Sequence, residues 1–396
     1  MTRTIRKTDI ETFKALASLS PDTSLHLEAR HPVSFDQESY GKKWIGEVQD
    51  RPLPGLVADA CLLEAPTPRR MKAVPLWQFP EALATSAWPP VLFVCGALRS
   101  GTTLFRLMLD AHRDIANPGE MDFLFDHLRK DSSHPTGWRY DLQALRNDRI
   151  FRASCLDIPE SDGLDLLQAF LRQLKEKTCD RILSINLHRH VARAAEILPD
   201  ARFLHILRDP RDVARSSTQM GWAGTLYHGV AHWIATERDW DAAGIAQDRV
   251  LTLRYEDLIL EPKRHLREVC RFAGCDFDPA MLNYHEGTSY GAPDPALIFQ
   301  WKRKADTREI RQLESRASDL MARRGYAPTG PAKPLGPLAR ARLSLHNKLA
   351  VWRFGMKRFG PALFLGEKIS RWLRLTPVQI RLQRRIDRIV TEKYLK

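Results

Sequence analysis

Residues 91–105 of the 396-residue chain read VLFVCGALRSGTTLF, and this stretch decides the fold. The β-branched and apolar run Val91–Cys95 predicts a buried strand that ends at Gly96. A short loop closed by Gly101 follows, and the apolar spacing after Thr102 predicts an amphipathic helix. A strand, a glycine loop and a helix N-terminus together present backbone N–H groups and the positive end of a helix dipole. The segment therefore predicts an anion-binding loop at the carboxyl end of a strand.

The two glycines of this loop have the spacing of a P-loop, but the residue after the second glycine is different. Thr102 stands where a nucleotide triphosphatase has its lysine, and the cation is instead Arg99 within the loop. The loop is therefore predicted to bind a phosphate-like group without the usual lysine and magnesium. A P-loop kinase or NTPase remains an alternative that would need a lysine after Gly101 and an acidic magnesium ligand. A non-catalytic nucleotide-binding scaffold that uses the basic tail is the other alternative.

A second informative segment, RFLHILRDPRDVARSS, occupies residues 202–217. Its apolar half predicts a buried strand ending at Arg208, and Asp209 and Pro210 suit the N-cap and the first position of a helix. Ser216 follows about two turns into that helix. Because ligands of open parallel sheets bind at the carboxyl ends of strands, Arg208 and Ser216 are predicted to hold a second phosphate. An Arg–Asp surface pair is the alternative.

Together, the two segments resemble the sulfotransferase superfamily, whose sulfuryl donor is 3′-phosphoadenosine 5′-phosphosulfate (PAPS). The resemblance covers residues 88–325 and implies transfer of a sulfuryl group to a hydroxyl or amine. It implies that the first loop holds the 5′-phosphosulfate and that the second segment holds the 3′-phosphate. Tyr255 is implied near the adenine, and the segment 299–310 resembles a late basic loop that closes over the nucleotide. The implied donor-binding residues are Arg99, Ser100, Gly101, Thr102, Thr103, Arg208, Ser216, Tyr255, Trp301 and Lys304, with Lys302 and Arg303 close behind.

Glu120 is the candidate catalytic base, and Arg99 is the candidate for stabilising charge on the leaving group. Glu120 follows an Asn-Pro-Gly turn, which resembles the sulfotransferase branch that includes the tyrosylprotein sulfotransferases, where a Gly-Glu supplies the base. Like-charge repulsion from the donor is expected to raise the pKa of this carboxyl group. Asp122 is the rival carboxylate, and His112 is the choice that an analogy with cytosolic sulfotransferases would favour. Alternatively, Glu120 is a solvent-exposed carboxylate of a turn and has no role in catalysis.

The sequence departs from the family at one point. Many relatives have a lysine before the second helix that steadies the sulfuryl group, whereas residues 184–200 read SINLHRHVARAAEILPD. His188, Arg189 or His190 could take that role, and Arg189 has the advantage of a permanent charge. Each histidine could equally be a capping or core residue.

The predicted fold is a three-layer α/β domain with a mostly parallel P-loop-like sheet and a C-terminal helical extension. The predicted strands lie near residues 91–96, 181–186, 202–207 and 250–254. Residues 1–87 are interpreted as an accessory region, 88–330 as the catalytic domain and 331–396 as the extension. Residues 126–180 are expected to be mainly helical and to form the acceptor pocket.

Composition narrows the class of protein. The six cysteines have no CxxC spacing, so reduced thiols are expected, with neither a disulfide framework nor a zinc site, and no metal is required. The charged N-terminus lacks an apolar signal region, and no apolar run reaches membrane-spanning length. A cytoplasmic location is therefore expected, and no nucleic-acid partner is predicted. The acceptor (glycan, lipid, peptide or small alcohol) and the oligomeric state stay open.

The net charge of +13 lies in the extension, because residues 331–396 carry 16 basic and three acidic residues. Its apolar residues have helical spacing on both sides of a Gly-Pro pair at 360–361. Basic amphipathic helices with Trp and Phe are typical of membrane-surface segments, which predicts peripheral contact of residues 340–396 with the inner face of a membrane. Alternatively, the apolar faces complete the core of the domain and leave a solvated basic face.

Overall fold

A computed structural model describes residues 88–179, 181–331 and 333–393. Its centre is a five-stranded parallel sheet in the order β2-β5-β1-β6-β7. The strands are β1 (Val91–Cys95), β2 (Ile115–Ala116), β5 (Ile182–Leu187), β6 (Arg202–Leu207) and β7 (Val250–Arg254), and a separate hairpin is formed by β3 (Leu128–Lys130) and β4 (Trp138–Tyr140). The four predicted strands are confirmed to within one residue at each end. The two-residue strand β2 and the hairpin are too short to leave a periodic pattern in the sequence.

The helices lie between the strands and after the last of them. The domain contains α1 (Thr102–Asp110), α2 (Phe123–Asp126), α3 (Leu142–Asn147), α4 (Arg149–Ser154), α5 (Gly163–Lys177), α6 (Val191–Ile197), α7 (Pro210–Gln219), α8 (Leu226–Gly229), α9 (Ala231–Ala243), α10 (Tyr255–Leu260), α11 (Pro262–Ala273), α12 (Trp301–Lys304) and α13 (Thr307–Arg323). Short 3₁₀ turns occupy Gln247–Arg249, Pro279–Leu282, Tyr284–Gly287 and Pro295–Leu297.

The central strand β1 contributes to two different cores. Phe93 and Cys95 pack with α2, α5 and α6 on one face of the sheet, whereas Leu92 and Val94 pack with α1, α10 and α11 on the other. Successive side chains of a strand point to opposite faces, so a continuously apolar strand needs cover on both sides. Burying each of these side chains contributes roughly 1.5–3 kcal/mol. The predicted three-layer α/β fold is confirmed.

The insertion between α1 and β5 is mainly helical, as predicted. The stripe Leu167, Phe170, Leu171 and Leu174 of α5 is fully buried against the rest of the insertion and the sheet. The Asp162 carboxylate accepts a hydrogen bond from the Gly163 N–H and caps the helix. This packing fixes the insertion beside the carboxyl edge of the sheet.

The extension forms α14 (Pro337–Phe359), α15 (Pro361–Trp372) and α16 (Thr376–Lys393), with the predicted break at the Gly-Pro pair. Helix α14 packs on the loop after α7, where Phe354 lies against Gly221 and the Asn347 side chain accepts the Gly224 N–H at 2.7 Å. Helix α16 contacts the insertion, since Asp387 Oδ2 lies 3.9 Å from Arg152 Nη2. Among the described residues, no helix is both long and apolar enough to cross a membrane. The accessory region proposed for residues 1–87 lies outside the described residues.

Candidate active site

The site is built where the parallel strands end. The carboxyl ends of parallel strands share one edge of a sheet, and each of the five strands is followed there by a loop or residue of the site. These are residues 96–101 after β1, the turn 117–120 after β2, His188 after β5, Arg208 after β6 and Tyr255 after β7. The sequence placed the first, third, fourth and fifth of these correctly at strand ends.

The loop after β1 requires glycine at both ends. A Cβ atom on Gly96 would lie 2.6 Å from the Ile206 carbonyl oxygen. Gly101 has a φ of +89°, and its Cβ atom would lie 2.1 Å from the Tyr255 ring. Between them Arg99 also has a left-handed backbone, with φ of 74°. A non-glycine residue in this region costs of order 1–3 kcal/mol and is found mainly at functional sites.

Side-chain contacts of the two arginines join the two sequence motifs. Arg99 Nε donates a hydrogen bond to Ser216 Oγ at 2.9 Å. Arg208 Nη1 donates to the Arg99 carbonyl oxygen at 2.9 Å, and its Nη2 donates to the Leu297 carbonyl oxygen at 3.1 Å. The alternative of an Arg–Asp surface pair is wrong, because the Asp209 carboxylate is buried and binds Arg211 instead. Arg99, Arg208 and Ser216 therefore form one cationic group.

Tyr255 packs against the cationic group and the loop after β1. Its side chain is buried, its ring packs under Gly101, and the Arg208 guanidinium lies 4.4 Å from the ring centroid. The ring is therefore a platform for the loop and for Arg208, and its place near the adenine stays a prediction. Burial is also the main cause of the raised pKa of the Tyr255 hydroxyl.

The late loop is tied to the start of α7 through Trp301. Its indole N–H donates to Asp209 Oδ2 at 3.0 Å and its backbone N–H to Asp212 Oδ1 at 2.8 Å. The Arg211 guanidinium lies 3.8 Å from the Trp301 ring centroid. The structure thus brings Trp301 to the second motif, and its role in closing over the nucleotide stays a prediction. Lys304 lies exposed on the same short helix. The contacts described above, which fix this helix, are those of Trp301.

Three buried polar atoms at the site have no hydrogen-bond partner in the described part of the chain. They are His188 Nε2, which lies 3.4 Å from Glu120 Oε1, Ser100 Oγ in the loop and Arg208 Nε at the end of β6. Thr102 is buried, and Thr103 is half-buried on the first turn of α1. Buried polar atoms are normally paired, so unpartnered atoms of Ser100 and Arg208 on one anion-binding edge fit a ligand with oxyanion groups.

Glu120 is placed by a buried polar network that the sequence interpretation missed. The Asn117 amide donates to Ser184 Oγ at 2.9 Å and to Asn186 Oδ1 at 3.1 Å, and its own oxygen accepts the Gly119 N–H. The Asn186 N–H in turn donates to the Gly119 carbonyl oxygen at 3.0 Å, so the turn continues the sheet beside β5. The only sequence signal was the pair of polar residues, Ser184 and Asn186, in an otherwise apolar strand.

The Glu120 carboxylate faces the buried imidazole of His188. The Oε1–Nε2 distance is 3.4 Å, the Glu120 side chain is 41% exposed, and His188 is buried. Burial would raise the pKa of Glu120, but His188, together with the charges of Arg106 and Arg149, lowers it to about 2. Burial would lower the pKa of His188, but Glu120 and Asp122 raise it to about 9. The chain's own charges thus lower the pKa of Glu120, and the rise expected from the charge of a bound donor stays a prediction.

Among the three residues that could replace the lysine, only His188 faces Glu120 and the loop. Its Nδ1 lies 2.8 Å from the Gly96 carbonyl oxygen, which can only accept, so Nδ1 carries a hydrogen. Arg189 and His190 both bind Asp126 instead. The rival base Asp122 is buried and accepts the His188 backbone N–H at 2.8 Å. Asp122 therefore positions His188 and has no free path to a ligand.

His112 lies at the other end of α1, away from the loop. Its Nδ1 accepts the Asp114 N–H and its Nε2 donates to the Asp276 carbonyl oxygen at 2.7 Å. The side chains of Cys270 and Cys275 lie beside it, and the three potential ligand atoms are within 4.8 Å of one another. The cysteine spacing did not indicate this cluster. Because Nε2 is the hydrogen-bearing nitrogen, the imidazole has no lone pair directed at the thiols.

Fold and site define a P-loop-like α/β domain with two adjacent anion-binding sites and the Glu120 carboxylate beside them. The loop 96–101 forms one of these sites, Arg208 and Ser216 form the other, and we call the two together the cradle. A family model described as the sulfotransferase family matches residues 90–279. The protein-tyrosine sulfotransferase of Drosophila melanogaster is 26% identical over 219 residues, which are 50% of this chain and 40% of that protein. Protein-tyrosine sulfotransferase 1 of Danio rerio is 28% identical over 212 residues, which are 50% of this chain and 56% of that protein.

The chain spans about half the length of these two curated relatives. Carbohydrate sulfotransferase 7 of Mus musculus is 26% identical over 113 residues, 25% of this chain and 23% of that protein. Among solved structures, the sulfotransferase domain of the Synechococcus PCC 7002 olefin synthase matches with a TM-score of 0.41 and 22% identity, over 58% of this chain and 95% of that domain. Residues 90–279 of the chain match the sulfotransferase family, and the chain is similar in sequence to the protein-tyrosine sulfotransferases.

Proposed function

We propose that the protein transfers a sulfuryl group from PAPS to a hydroxyl or amine of an acceptor. The observation that carries the proposal is the joined pair of anion sites, in which Arg99 binds Ser216 and Arg208 binds the Arg99 carbonyl oxygen. A donor with phosphate groups at both ends of its ribose needs two such sites at a fixed separation. The strained backbone of Arg99 and the unpartnered atoms of Ser100 and Arg208 support the assignment.

The loop and arginines hold the donor in this proposal. PAPS supplies an activated sulfuryl group whose leaving group is a nucleotide bisphosphate. The N–H groups of the loop, the N-terminus of α1 and Arg99 face the 5′ end, where negative charge develops as the sulfur–oxygen bond breaks. A preorganised donor at such a position lowers the barrier by about 3–4 kcal/mol. Arg208 and Ser216 face the 3′-phosphate, and Trp301 closes that side.

Glu120 acts on the acceptor. Its carboxylate takes the proton of the acceptor hydroxyl while the hydroxyl oxygen bonds to sulfur. A pKa of about 2 keeps Glu120 in the accepting form at neutral pH, although it makes a weaker base than one with a higher pKa. The Glu120 side chain is half-exposed, so a carboxylate oxygen is accessible to an acceptor. The rival Asp122 is buried and accepts the His188 backbone N–H.

His188 takes the electrostatic role of the missing lysine. Its imidazole lies between the Gly96 carbonyl oxygen and Glu120, so a positive charge is held beside the reacting groups. The raised pKa of about 9 keeps that charge at neutral pH. Arg189 and His190 are bound to Asp126, so neither takes the position beside Glu120 that His188 has.

A P-loop kinase or NTPase is not favoured. Thr102 replaces the lysine, and the Asp209 carboxylate that could serve magnesium is already engaged by Arg211 and Trp301. The names of the matched relatives include both protein-tyrosine and carbohydrate sulfotransferases, so they support a hydroxyl acceptor but not one acceptor class. The cytoplasmic location remains a prediction.

Calorimetry on the full-length chain tests the donor assignment. Adenosine 3′,5′-bisphosphate is expected to bind more tightly than adenosine 5′-monophosphate and more tightly than ATP with magnesium. Tighter binding of ATP with magnesium would support the NTPase alternative, and no preference for the 3′-phosphate would contradict the role of Arg208. Transfer from ³⁵S-labelled PAPS to a panel of phenols, sugars, lipids and peptides then tests turnover, and a donor-binding chain without turnover would support the scaffold alternative.

A further inference from the structure

Exposed large apolar side chains are concentrated in the C-terminal extension. Residues 371–378, from the end of α15 to the start of α16, are all exposed and read RWLRLTPV; we call this segment the tip. Trp372 at the tip is 82% exposed. On α14 a second set of exposed side chains, Leu338, Leu345, Leu349 and Trp352, recurs with a spacing of seven, four and three residues. This spacing aligns them in one stripe along the helix.

The stripe and the tip belong to one continuous unit. Trp352 of the stripe packs edge-to-face on Phe364 of α15, with ring centroids 6.1 Å apart, and α15 leads directly into the tip. The inner face of α14 docks on the domain through Phe354 and Asn347. The alternative that the extension completes the core is therefore satisfied by that inner face alone. It does not account for the exposed stripe and tip.

Basic residues surround both apolar sets. Lys348 directly precedes Leu349 and Arg353 directly follows Trp352, so these two exposed residues lie on opposite sides of the stripe. Within the tip, Arg371 and Arg374 alternate with Trp372, Leu373 and Leu375. The extension from residue 331 onward carries 16 basic and three acidic residues, which is the whole net charge of the chain. An exposed apolar surface ringed by cations matches a surface that is anionic outside and apolar inside.

We propose that the stripe and the tip dock the protein on the surface of an anionic membrane, with the Trp and Leu side chains in the headgroup region. Two other occupants fit less well. A second copy of the extension would bring two strongly cationic surfaces together, which charge repulsion opposes. Residues 1–87 of the same chain carry 11 acidic and 11 basic residues and offer no net charge complement. The proposal does not depend on the sulfotransferase activity.

Vesicle co-sedimentation of the full-length chain tests the proposal. Binding is expected to vesicles of phosphatidylcholine with 30% phosphatidylglycerol, and to fall as salt is raised, because each basic residue near an anionic surface contributes about fivefold to partitioning. Vesicles of phosphatidylcholine alone should bind the chain far less. Binding that is equal for both vesicles and insensitive to salt would overturn the proposed charge complementarity.

Two variants with the same charge change locate the contact. Trp372→Glu at the tip is expected to reduce partitioning about tenfold or more, since it removes an apolar anchor and adds a repelled charge. Leu260→Glu, at a position in α10 that is 55% exposed, should reduce it only about fivefold or less. Equal effects of the two variants would show that only net charge matters and would overturn the role of the tip.

Measurements without vesicles separate the other occupants. Trp372→Glu should leave the melting temperature unchanged if the tip faces water in the free protein. A fall of several degrees would show that the chain's own residues cover the tip. Sedimentation velocity that changes from dimer to monomer on the same substitution would assign the surface to a second copy. Either result would overturn the membrane proposal, and neither affects the calorimetric test of nucleotide binding.

Discussion

The domain and the extension use their charges in opposite ways. In the domain the charges are paired in buried networks, such as Arg211 with Asp209 and Glu314, or Glu237 with His205 and Arg324. In the extension Glu367 is shared by Lys368 and Arg371, while most other basic residues face the solvent. Pairing inside the domain fixes loops for chemistry, because buried charges without partners are costly. The exposed charges of the extension form no such buried networks and are available for the membrane contact that we propose.

Replacing the base in the domain should have the largest effect. Glu120→Gln is expected to lower turnover by about 10²–10⁴, the usual contribution of a general base. Affinity for adenosine 3′,5′-bisphosphate should change by no more than a few-fold, because Glu120 lies on the acceptor side. Turnover with labelled PAPS and calorimetry measure the two quantities. If turnover survives and Asp122→Asn abolishes it in a folded protein, the other carboxylate is the base.

Removing one cation from the cradle should have the next largest effect. Arg208→Ala is expected to weaken binding of the 3′-phosphorylated nucleotide by about 1.5–3 kcal/mol, the range for a charged hydrogen bond. Binding of adenosine 5′-monophosphate should change much less, and calorimetry compares the two. Arg264→Ala, an exposed arginine of α11, is the control and should change neither affinity. Equal weakening of both nucleotides by Arg208→Ala would contradict the 3′-phosphate assignment.

The contact between the domain and the extension can be broken by one methyl group. A Cβ atom on Gly224 would lie 2.4 Å from Ala350 Cβ and 2.8 Å from the Asn347 carbonyl oxygen. Gly224→Ala is therefore expected to cost about 1–3 kcal/mol, as overpacking does, and to speed proteolysis of the extension. Gly287→Ala, where nothing lies within 4 Å, is the matched control and should not be destabilising. Equal melting temperatures of the two variants would mean that this contact contributes nothing.

The smallest expected effect is a pH dependence of stability. The pKa of His188 is raised from its ordinary value of 6.5 to about 9, so its contribution is complete below pH 6.5 and is lost as the pH rises towards 9. The pKa of Glu120 is lowered from 4.5 to about 2, so its contribution is complete above pH 4.5 and is lost as the pH falls. Urea unfolding at pH 6 and pH 9.5 should therefore show lower stability at the higher pH.

His188→Gln isolates this contribution. In the variant the fall between pH 6 and pH 9.5 should become smaller, because the group that loses its proton is absent. His346→Gln on the exposed part of α14 is the control and should keep the wild-type pH dependence. A variant whose unfolding free energy falls as steeply as that of the wild type would show that His188 is not charged in the folded state.

Local patterns predicted the framework well. The predicted strands and the cap at Asp209 are confirmed, because apolar runs, glycine loops and capping residues act within a few positions of the chain. The helical break at Gly360-Pro361 is confirmed for the same reason. Roles that depend on contacts with residues far away in the sequence were harder to predict. The buried ring of Tyr255 and the cluster around His112 depend on residues more than a hundred positions away.

The sequence by itself determined the class of the protein, because two short motifs each carry a complete strand–loop–helix anion site. Only the tertiary structure decided how the sites work together. It joined Arg99 to Ser216 across 117 positions, and it placed His188 beside Glu120 while Asp126 binds Arg189 and His190. It also showed that the extension both packs on the domain and exposes apolar surface. A sequence pattern gives the apolar faces of a helix, but only packing decides which of them are covered.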